Sequence, residues 1–298
     1  MSTSSETWRF GNKTVQVTHL EKRYWSQAGV TKREMLEYYR QIAPTVLPYF
    51  KGRPVTLRLF PEGATGPSYY MREYPANAPS WLQSVQYQPR TLSHAIRLPL
   101  IDNPAGLIWF ANEGAIEFHL WSSHVPDLSA PDQAIFDLDP SEAVTFADVR
   151  QVALRLRDML EHIGVRSYAK TSGRRGLHVY VPLYAGCSFE QVRGWVRGIG
   201  QQLAASYPDL ISVATGSTHR GKSVTIDAAQ NSIGRNTAAP YTLRANVAHP
   251  TVSTPLSWEE LEQGNILPMN LTPQVVLQRI QRLGDLFAPV LQANQRLA

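Results

Sequence analysis

Two aspartates lie inside an apolar segment, and this combination limits the possible folds more than any other feature of the chain. Residues 134–140 read AIFDLDP, so Asp137 and Asp139 alternate with Phe136 and Leu138. On a β-strand, residues two apart face the same way, so both carboxylates would leave one face of a sheet. Neighbouring carboxylates repel unless a cation lies between them, and their oxygens suit Mg²⁺ or Mn²⁺. The segment therefore predicts a metal site on a sheet. The alternative, a solvated strand end that happens to carry two acids, fits less well with the apolar neighbours.

Short apolar segments alternate with segments of helical periodicity along the rest of the chain. Two predicted helices start with a capping box, at Ser188 with Gln191 and at Ser257 with Glu260. Three others run from Thr31 to Pro48, from near Thr145 to Gly164, and onward from Thr272 and Pro273. Runs rich in branched and aromatic residues predict strands at 55–60, 107–111, 116–121, 134–138, 167–170, 177–183 and 223–227. Because helices and strands are interspersed, the predicted fold class is mixed α/β.

A second motif, KTSGRRGLH at 170–178, has the composition of an anion-binding turn. A strand ending at Lys170 leads into a Ser/Gly turn with two arginines, and His178 enters the next strand on its polar face. The Ser172 hydroxyl and the His178 imidazole are candidate donors to phosphate oxygens. The alternative is a plain basic hairpin turn, which the position of His178 disfavours.

A third motif places another aspartate at the end of a strand. Asp227 follows a basic loop that contains Arg220 and Lys222. A single aspartate in this position is ordinarily a turn residue or a helix cap. Together with the first two aspartates, it would instead complete a site for two metal ions.

Charge and cysteine content narrow the range of partners and compartments. The net charge of +5 divides into +5 over residues 1–53, −6 over 54–163, +7 over 164–250 and −1 over 251–298. Two cationic stretches around an anionic one suggest a polyanion bound beside a carboxylate site.

The single cysteine, Cys187, excludes a disulfide framework and fits a reducing cytoplasm. No leader or membrane-spanning segment is evident, so we expect a cytoplasmic, nucleoid-associated protein with no membrane partner.

Taken in order, the three motifs resemble a known family. FDLDP, TSGRRGLHVYVPL, and IDAAQN followed by APYTLR are similar to the motifs of the archaeo-eukaryotic primase superfamily, and more narrowly to the polymerase domain of bacterial DNA ligase D. The resemblance extends from VTHLEKRYWSQAGVTK to SWEEL, nearly the whole chain. It implies one primase-polymerase catalytic domain over 1–298, or two closely packed subdomains. The implied core has mixed sheets and an RRM-like half flanked by helices, with no ligase or nuclease domain.

The resemblance also implies roles for individual residues. Asp137, Asp139 and Asp227 would hold two divalent ions, with manganese preferred over magnesium. The residues implied to bind the nucleotide are Ser172, His178, Arg244, His119, Arg72, Lys170 and Arg175. The resemblance implies three contacts with DNA. Lys22 and Lys32 would bind a 5′-phosphate, and Tyr69 and Tyr70 would stack on the template base. The loop 215–222, which contains Arg220 and Lys222, would hold two DNA ends together. If the resemblance is set aside, Lys22 and Lys32 could simply be solvated surface charges, and His119 could be a histidine packed in the core. Adjacent strand residues face opposite ways, so only one of the two tyrosines would reach a base.

The predicted function is template-directed nucleotidyl transfer. The family implies gap filling at double-strand breaks during bacterial non-homologous end joining, on DNA ends or gapped DNA with a 5′-phosphate. It further implies NTP or dNTP substrates with ribonucleotides preferred, and Ku and a DNA ligase as partners. The alternatives are a primase or primase-polymerase that starts strands de novo, a phosphatase of the haloacid dehalogenase type, and a non-catalytic DNA-end-binding module. No K-x-D-G motif occurs, so ligation through an adenylated lysine of that motif is excluded for this chain.

Overall fold

The computed structural model describes residues 5–89, 91–184, 186–213, 222–292 and 295–297. Within these ranges the chain forms six helices and twenty strands, so the predicted mixed α/β class is confirmed. The helices are α1 (Lys32–Phe50), α2 (Pro104–Asn112), α3 (Phe146–His162), α4 (Phe189–Ser206), α5 (Trp258–Gln263) and α6 (Pro273–Leu283). The strands are β1 (Ser5–Phe10), β2 (Lys13–Thr18), β3 (Arg23–Trp25), β4 (Val30–Thr31), β5 (Val55–Leu59), β6 (Tyr69–Met71), β7 (Gln83–Tyr87), β8 (Ile96–Leu100), β9 (Ala115–Leu120), β10 (Ser123–His124), β11 (Asp127–Pro131), β12 (Gln133–Pro140), β13 (Tyr168–Thr171), β14 (Leu177–Pro182), β15 (Ile211–Val213), β16 (Val224–Asp227), β17 (Thr237–Ala238), β18 (Leu243–Arg244), β19 (Thr251–Val252) and β20 (Pro255–Leu256).

Helix starts follow from the capping residues. Complete capping boxes form at the starts of α1, α3, α4 and α5, with Thr31, Thr145, Ser188 and Ser257 as the N-caps. In each box two backbone N–H groups that lack a partner inside the helix are satisfied by side chains. The predicted end of α1 at Pro48 is wrong by one half-turn, since the helix continues to Phe50. Tyr49 and Phe50 are buried there, and their packing maintains the last turn despite the missing proline N–H.

The strand predicted at 107–111 is wrong, because these residues belong to helix α2. The side chain of Asn103 accepts a hydrogen bond from Gly106 N, and Pro104 occupies the first helical position. Both features start a helix. The run is buried nearly all round, so it shows no helical periodicity that would distinguish it from a buried strand.

The larger sheet has six strands in the order β15-β16-β12-β14-β13-β20. Its neighbouring strands are antiparallel except for the parallel pair β15 and β16. Helices α3 and α4 pack against it, and Phe136 on β12 contacts Trp195 on α4 with ring centroids 5.6 Å apart. Alternate residues of β12 therefore face away from α4, and these include Asp137 and Asp139.

The second sheet has four antiparallel strands in the order β17-β9-β5-β6. Helix α1 covers it through Tyr39 and Phe50, whose rings contact Phe118 on β9. Phe118 and Phe136 belong to one buried hydrophobic cluster that joins both sheets. The remaining strands form two-stranded pairs. Among the helices described, none is long and apolar enough to cross a membrane.

Candidate active site

A cleft of about 990 Å³ lies between the two sheets and contains most of the predicted site residues. The larger sheet contributes Asp137, Asp139 and His178, and the smaller one contributes Thr56, Tyr70, His119, Thr237 and Ala238. Ser172, Arg174, Arg175, Gly176 and Arg244 form its basic part, and residues 230 and 233–236 are among the other residues of its wall. The cleft combines carboxylates, cationic side chains and exposed aromatic surface, which suits a ligand with phosphates and a ring.

The three aspartates come from adjacent strands. Asp137 on β12 is paired with His178 on β14 at one side and with Asp227 on β16 at the other. Burial, with the charges of Asp139 and Asp227, raises the pKa of Asp137 to about 7, and the charge of Lys170 and a hydrogen bond with Gln230 oppose the rise. Asp227 also caps the following 3₁₀ turn by accepting a hydrogen bond from Ala229 N at 2.8 Å. The cap and the shared carboxylate site are therefore compatible roles of one side chain.

The chemistry of these donors fits a divalent cation. A half-buried carboxylate with a raised pKa beside two others is stabilised by positive charge, and all the donors are hard oxygens. In the described ranges, however, no three His, Cys, Asp or Glu side chains are arranged so that they could all hold one ion. The aspartates would therefore have to converge when a cation binds.

The turn between β13 and β14 is fixed by Ser172. Its Oγ accepts hydrogen bonds from Arg174 N at 3.2 Å and Gly176 N at 3.1 Å, and its own N–H donates to Gly176 O. Gly173 takes a φ of +74°, a conformation that glycine adopts without strain. The Ser172 hydroxyl accepts in both side-chain bonds, so its proton can be donated to a ligand in the cleft.

Two arginines of the cleft converge on Glu117, which sequence analysis did not identify. Glu117 lies on β9, is fully buried, and accepts a hydrogen bond from Arg174 Nη2 at 3.0 Å. Arg244 Nε lies 3.4 Å from its other carboxylate oxygen, and Arg244 Nη1 donates to Ser172 O. Burial opposes ionisation of Glu117, but Arg244, His119 and Arg174 outweigh it and hold its pKa well below the usual value. The available signal was a charged residue inside an otherwise apolar strand.

Lys170 and His178 form a buried pair next to the aspartates. His178 Nε2 lies 3.4 Å from Asp137 Oδ1, and its Nδ1 lies 2.9 Å from Lys170 Nζ. Burial and the nearby cationic charges lower the pKa of both side chains well below their usual values. Lys170 is fully buried, donates to Ser253 Oγ and does not line the cleft. Lys170 therefore contacts the cleft-lining His178 from the protein interior, and its predicted contact with the nucleotide stays a prediction.

The aromatic side of the cleft contains Tyr70 and His119, with ring centroids 5.9 Å apart. His119 is buried and contacts Glu117 Oε2 at 3.2 Å through Nε2. Tyr69 and Tyr70 are both about half exposed, but only Tyr70 lines the cleft. The Arg58 guanidinium lies 5.5 Å from the Tyr70 ring centroid, and its Nη1 lies 3.7 Å from Glu117 Oε1.

The other predicted nucleotide-binding side chains also reach the cleft. Arg72 is exposed and lines it. Arg175 lines it while donating through Nη2 to the carbonyls of Ser141, Glu142 and Val144. These bonds fix the Arg175 guanidinium to the loop that follows β12.

The predicted 5′-phosphate lysines lie beside each other, away from the residues that line the cleft. Lys32 N donates to Lys22 O at 2.8 Å, which joins the two backbones. Lys22 Nζ donates to Glu62 Oε2 at 2.9 Å and to Pro61 O. Lys32 is buried, and its pKa falls to about 8 because burial, with a smaller contribution from the Lys22 charge, outweighs the effect of Glu113.

The predicted DNA-end loop is described only at Lys222. Residues 214–221, which include Arg220, lie outside the described residues. Lys222 is exposed and lies near Asp148 in the first turn of α3. The pKa of Asp148 is lowered mainly by hydrogen bonds from Thr145, and the charge of Lys222 lowers it a little further.

Comparison with known proteins identifies one family and one fold. The family model of the LigD primase-polymerase domain matches residues 31–287. The chain is 32% identical over 280 residues to the multifunctional non-homologous end joining protein LigD of Mycolicibacterium smegmatis, covering 93% of this chain and 36% of that protein. It is 28% identical over 274 residues to the bifunctional non-homologous end joining protein LigD of Bacillus subtilis, covering 92% and 43%. The chain thus spans less than half the length of these curated relatives.

A solved structure extends the similarity to the three-dimensional fold. The polymerase domain from Mycobacterium tuberculosis Ligase D, determined in complex with DNA, has a TM-score of 0.87 and 32% sequence identity to this chain. The match covers 94% of this chain and 99% of that one.

Proposed function

The chain belongs to the family of LigD primase-polymerase domains, and on that premise we propose that it is a template-directed nucleotidyltransferase of the EC 2.7.7 class. It fills short gaps at double-strand breaks during bacterial non-homologous end joining, and it prefers ribonucleotides. The relatives' names, which describe end-joining proteins, support the pathway. Ku and a DNA ligase are the proposed partners, and the nucleoid is the proposed location.

The reaction is an attack by a primer 3′-hydroxyl on the α-phosphate of the nucleotide. The primer hydroxyl loses its proton to water as a new P–O bond forms to the α-phosphate, the bond to the β-phosphate breaks, and pyrophosphate leaves. Asp137, Asp139 and Asp227 would hold two Mn²⁺ or Mg²⁺ ions. When bound, such ions act as Lewis acids on the phosphoryl group. The protein's own contribution is orientation and charge compensation.

The phosphates are bound by the basic part of the cleft. Ser172, anchored by two backbone N–H groups, donates its hydroxyl proton to a phosphate oxygen. Arg244 and Arg175 are held by carbonyl groups and present their remaining guanidinium N–H groups. Arg72 adds a cationic charge, and neutral His178 can donate one ring N–H.

Two further regions are proposed to bind DNA. Lys22 and Lys32 receive the 5′-phosphate at the far side of a gap, since they are adjacent cations and Lys32 is largely desolvated. Tyr70 stacks on the template base because its exposed ring lines the cleft. Lys222 and Arg220 are proposed to contact a second DNA end.

One observation carries the proposal. Asp137 lies between Asp227 and His178 on neighbouring strands, in the same cleft as a turn whose serine and arginines can bind phosphates. Carboxylates that suit a cation next to an anion-binding turn are what phosphoryl transfer requires.

Primer extension on gapped DNA tests the function. The purified protein is given a labelled primer and template with Mn²⁺ and ribonucleotides, with or without a 5′-phosphate at the gap. We expect template-dependent extension by the wild type, its loss in Asp227→Asn, and normal extension in the exposed control Asp209→Asn. Wild-type protein that adds nothing, or adds nucleotides without regard to the template, would refute the proposal.

A further inference from the structure

The most heavily bonded charged side chain near the cleft is Glu117, to which the reaction proposed above assigns no role. It is completely buried on β9, two residues before the cleft-lining His119. Its neighbours include three arginines, one histidine and the backbone N–H of Ala245. A buried carboxylate is costly unless it is paired, so the pairs around it indicate a specific task.

The two carboxylate oxygens of Glu117 contact different residues of the basic part of the cleft. Oε1 accepts from Arg174 Nη2 at 3.0 Å and from Ala245 N at 3.1 Å. Oε2 lies 3.4 Å from Arg244 Nε. Ala245 directly follows Arg244, the last residue of β18, so this carboxylate holds both the Arg244 side chain and the backbone next to it.

Arg174 keeps a donor that is uncommitted. Within the described residues, the Nε atom of Arg174 is buried and has no hydrogen-bond partner, whereas the Nε atom of Arg244 faces Glu117 Oε2. Buried guanidinium groups normally have their donors satisfied, so such an N–H group beside a cleft points to an anionic ligand.

We propose that Glu117 is a positioning residue that orients Arg174 and Arg244 to receive the β- and γ-phosphates of the incoming nucleotide. The inference rests on the proposed nucleotidyl transfer and adds Arg174 to the triphosphate-binding residues. One negative charge holds two cations that would otherwise repel each other, and the excess positive charge is left for the ligand. Glu117 does not touch the nucleotide itself.

Binding of ATP and of AMP to the DNA-free protein, measured by calorimetry, tests this role. The Glu117→Gln side chain keeps the size and shape of glutamate but carries no charge. Its NH₂ group is a donor and cannot accept a hydrogen bond from the guanidinium groups that face it. We expect ATP to bind about 10-fold more weakly or worse, while AMP, which lacks the outer phosphates, changes by less than about 2-fold. Glu117→Asp keeps the charge at a shorter reach and should recover part of the ATP affinity.

A matched control separates this role from the general loss of an internal ion pair. Glu260 is bonded to Arg279 at 2.6 and 2.9 Å, and neither residue lines the cleft. Glu260→Gln should leave the binding of both nucleotides unchanged. An ATP-to-AMP affinity ratio equal to that of the wild type in Glu117→Gln, or an equal change in Glu260→Gln, would overturn the proposal.

Two further comparisons keep the test decisive. If Glu117→Gln does not fold, a double-mutant cycle between Glu117→Asp and Arg174→Gln replaces it. We then expect strongly non-additive losses of ATP affinity, and additive losses would refute the positioning role. If the wild-type protein extends no primer, the proposed function fails, but the ATP-to-AMP affinity ratio still tests the role of Glu117. If the wild type extends primers normally and Glu117→Gln has the wild-type affinity ratio, only the role of Glu117 is rejected.

Discussion

Asp137 and Asp227 are directly opposite each other on neighbouring antiparallel strands. Like charges in such a pair destabilise a sheet, and here both side chains are also partly buried. The raised pKa of Asp137, about 7, reflects its burial and the charges of Asp139 and Asp227. The protein therefore maintains an unfavourable arrangement at the point where it would bind cations, as active sites commonly do.

This arrangement predicts how stability depends on pH in the absence of metal. The pKa of Asp137 is about 7 in the fold and 3.8 in the reference state, so between these values the folded protein binds more protons. Stability should fall as pH rises from about 4 to about 7, by at most about 4 kcal/mol from this group. Asp137→Asn should lack this contribution and be more stable than wild type at pH 8. Urea unfolding in EDTA from pH 4 to 8 measures the difference, and a difference that does not change with pH would contradict the prediction.

A second pH effect is expected where DNA ends bind. The pKa of Lys32 is lowered to about 8, so its ammonium group loses its charge between pH 7 and 9. Preference for a gap with a 5′-phosphate over one with a 5′-hydroxyl should then fall about tenfold across this range, because a charge-assisted hydrogen bond is lost. Lys32→Arg, which stays protonated, should keep a preference that does not depend on pH. Fluorescence anisotropy on both gapped DNAs measures it, and equal pH profiles for wild type and Lys32→Arg would disprove the role.

The sequence predicts the catalytic strands better than it predicts side-chain surroundings. Alternation of apolar and acidic residues identified β12 and the shared face of Asp137 and Asp139, because that pattern is local. The family resemblance was also confirmed by the match over residues 31–287. Helix α2 was missed because a short, fully buried run has no periodicity. Whether a lysine is exposed or buried depends on contacts distant in sequence, as between Lys170 and Ser253, so the motif alone could not predict that Lys170 is fully buried.

Glu117 was missed by the sequence analysis because its partners are distant in the sequence. Its partners Arg58, Arg174 and Arg244 come from three separate parts of the chain, so no spacing rule could bring them together. Motif reading instead selected His119, two residues later on the same strand. Only the pairing of β9 with β5 and the position of the 172–176 turn reveal the shared carboxylate.

The turn that holds Ser172 should not tolerate a side chain at Gly173. A Cβ there would lie 2.4 Å from Arg244 Cγ and 2.9 Å from Ser253 N, and φ is +74°. Gly173→Ala should lower stability by about 1 to 3 kcal/mol and displace Arg244, raising the KM for nucleotide more than it lowers kcat. Gly194→Ala is the control, because its Cβ on α4 meets nothing within 4 Å and should stabilise the helix by up to about 1 kcal/mol. Urea unfolding and steady-state extension measure both effects. An unchanged KM in a folded Gly173→Ala protein would show that the turn does not position Arg244.

The two adjacent tyrosines should differ sharply in their contribution to template-directed synthesis. Both rings are about half exposed, but only Tyr70 lines the cleft, where it contacts His119 and lies under Arg58. Stacking of a base on an aromatic ring contributes about 1 to 3 kcal/mol, so Tyr70→Leu should reduce extension at limiting template about tenfold or more. Tyr70→Phe should retain most activity because the ring is kept, and Tyr69→Leu should lose less than about threefold, since its side chain faces the other way on β6. Initial rates measured against template concentration distinguish the variants. Equal losses in Tyr69→Leu and Tyr70→Leu would mean that the pair acts through folding of β6, and an unaffected Tyr70→Leu would remove Tyr70 from the template site.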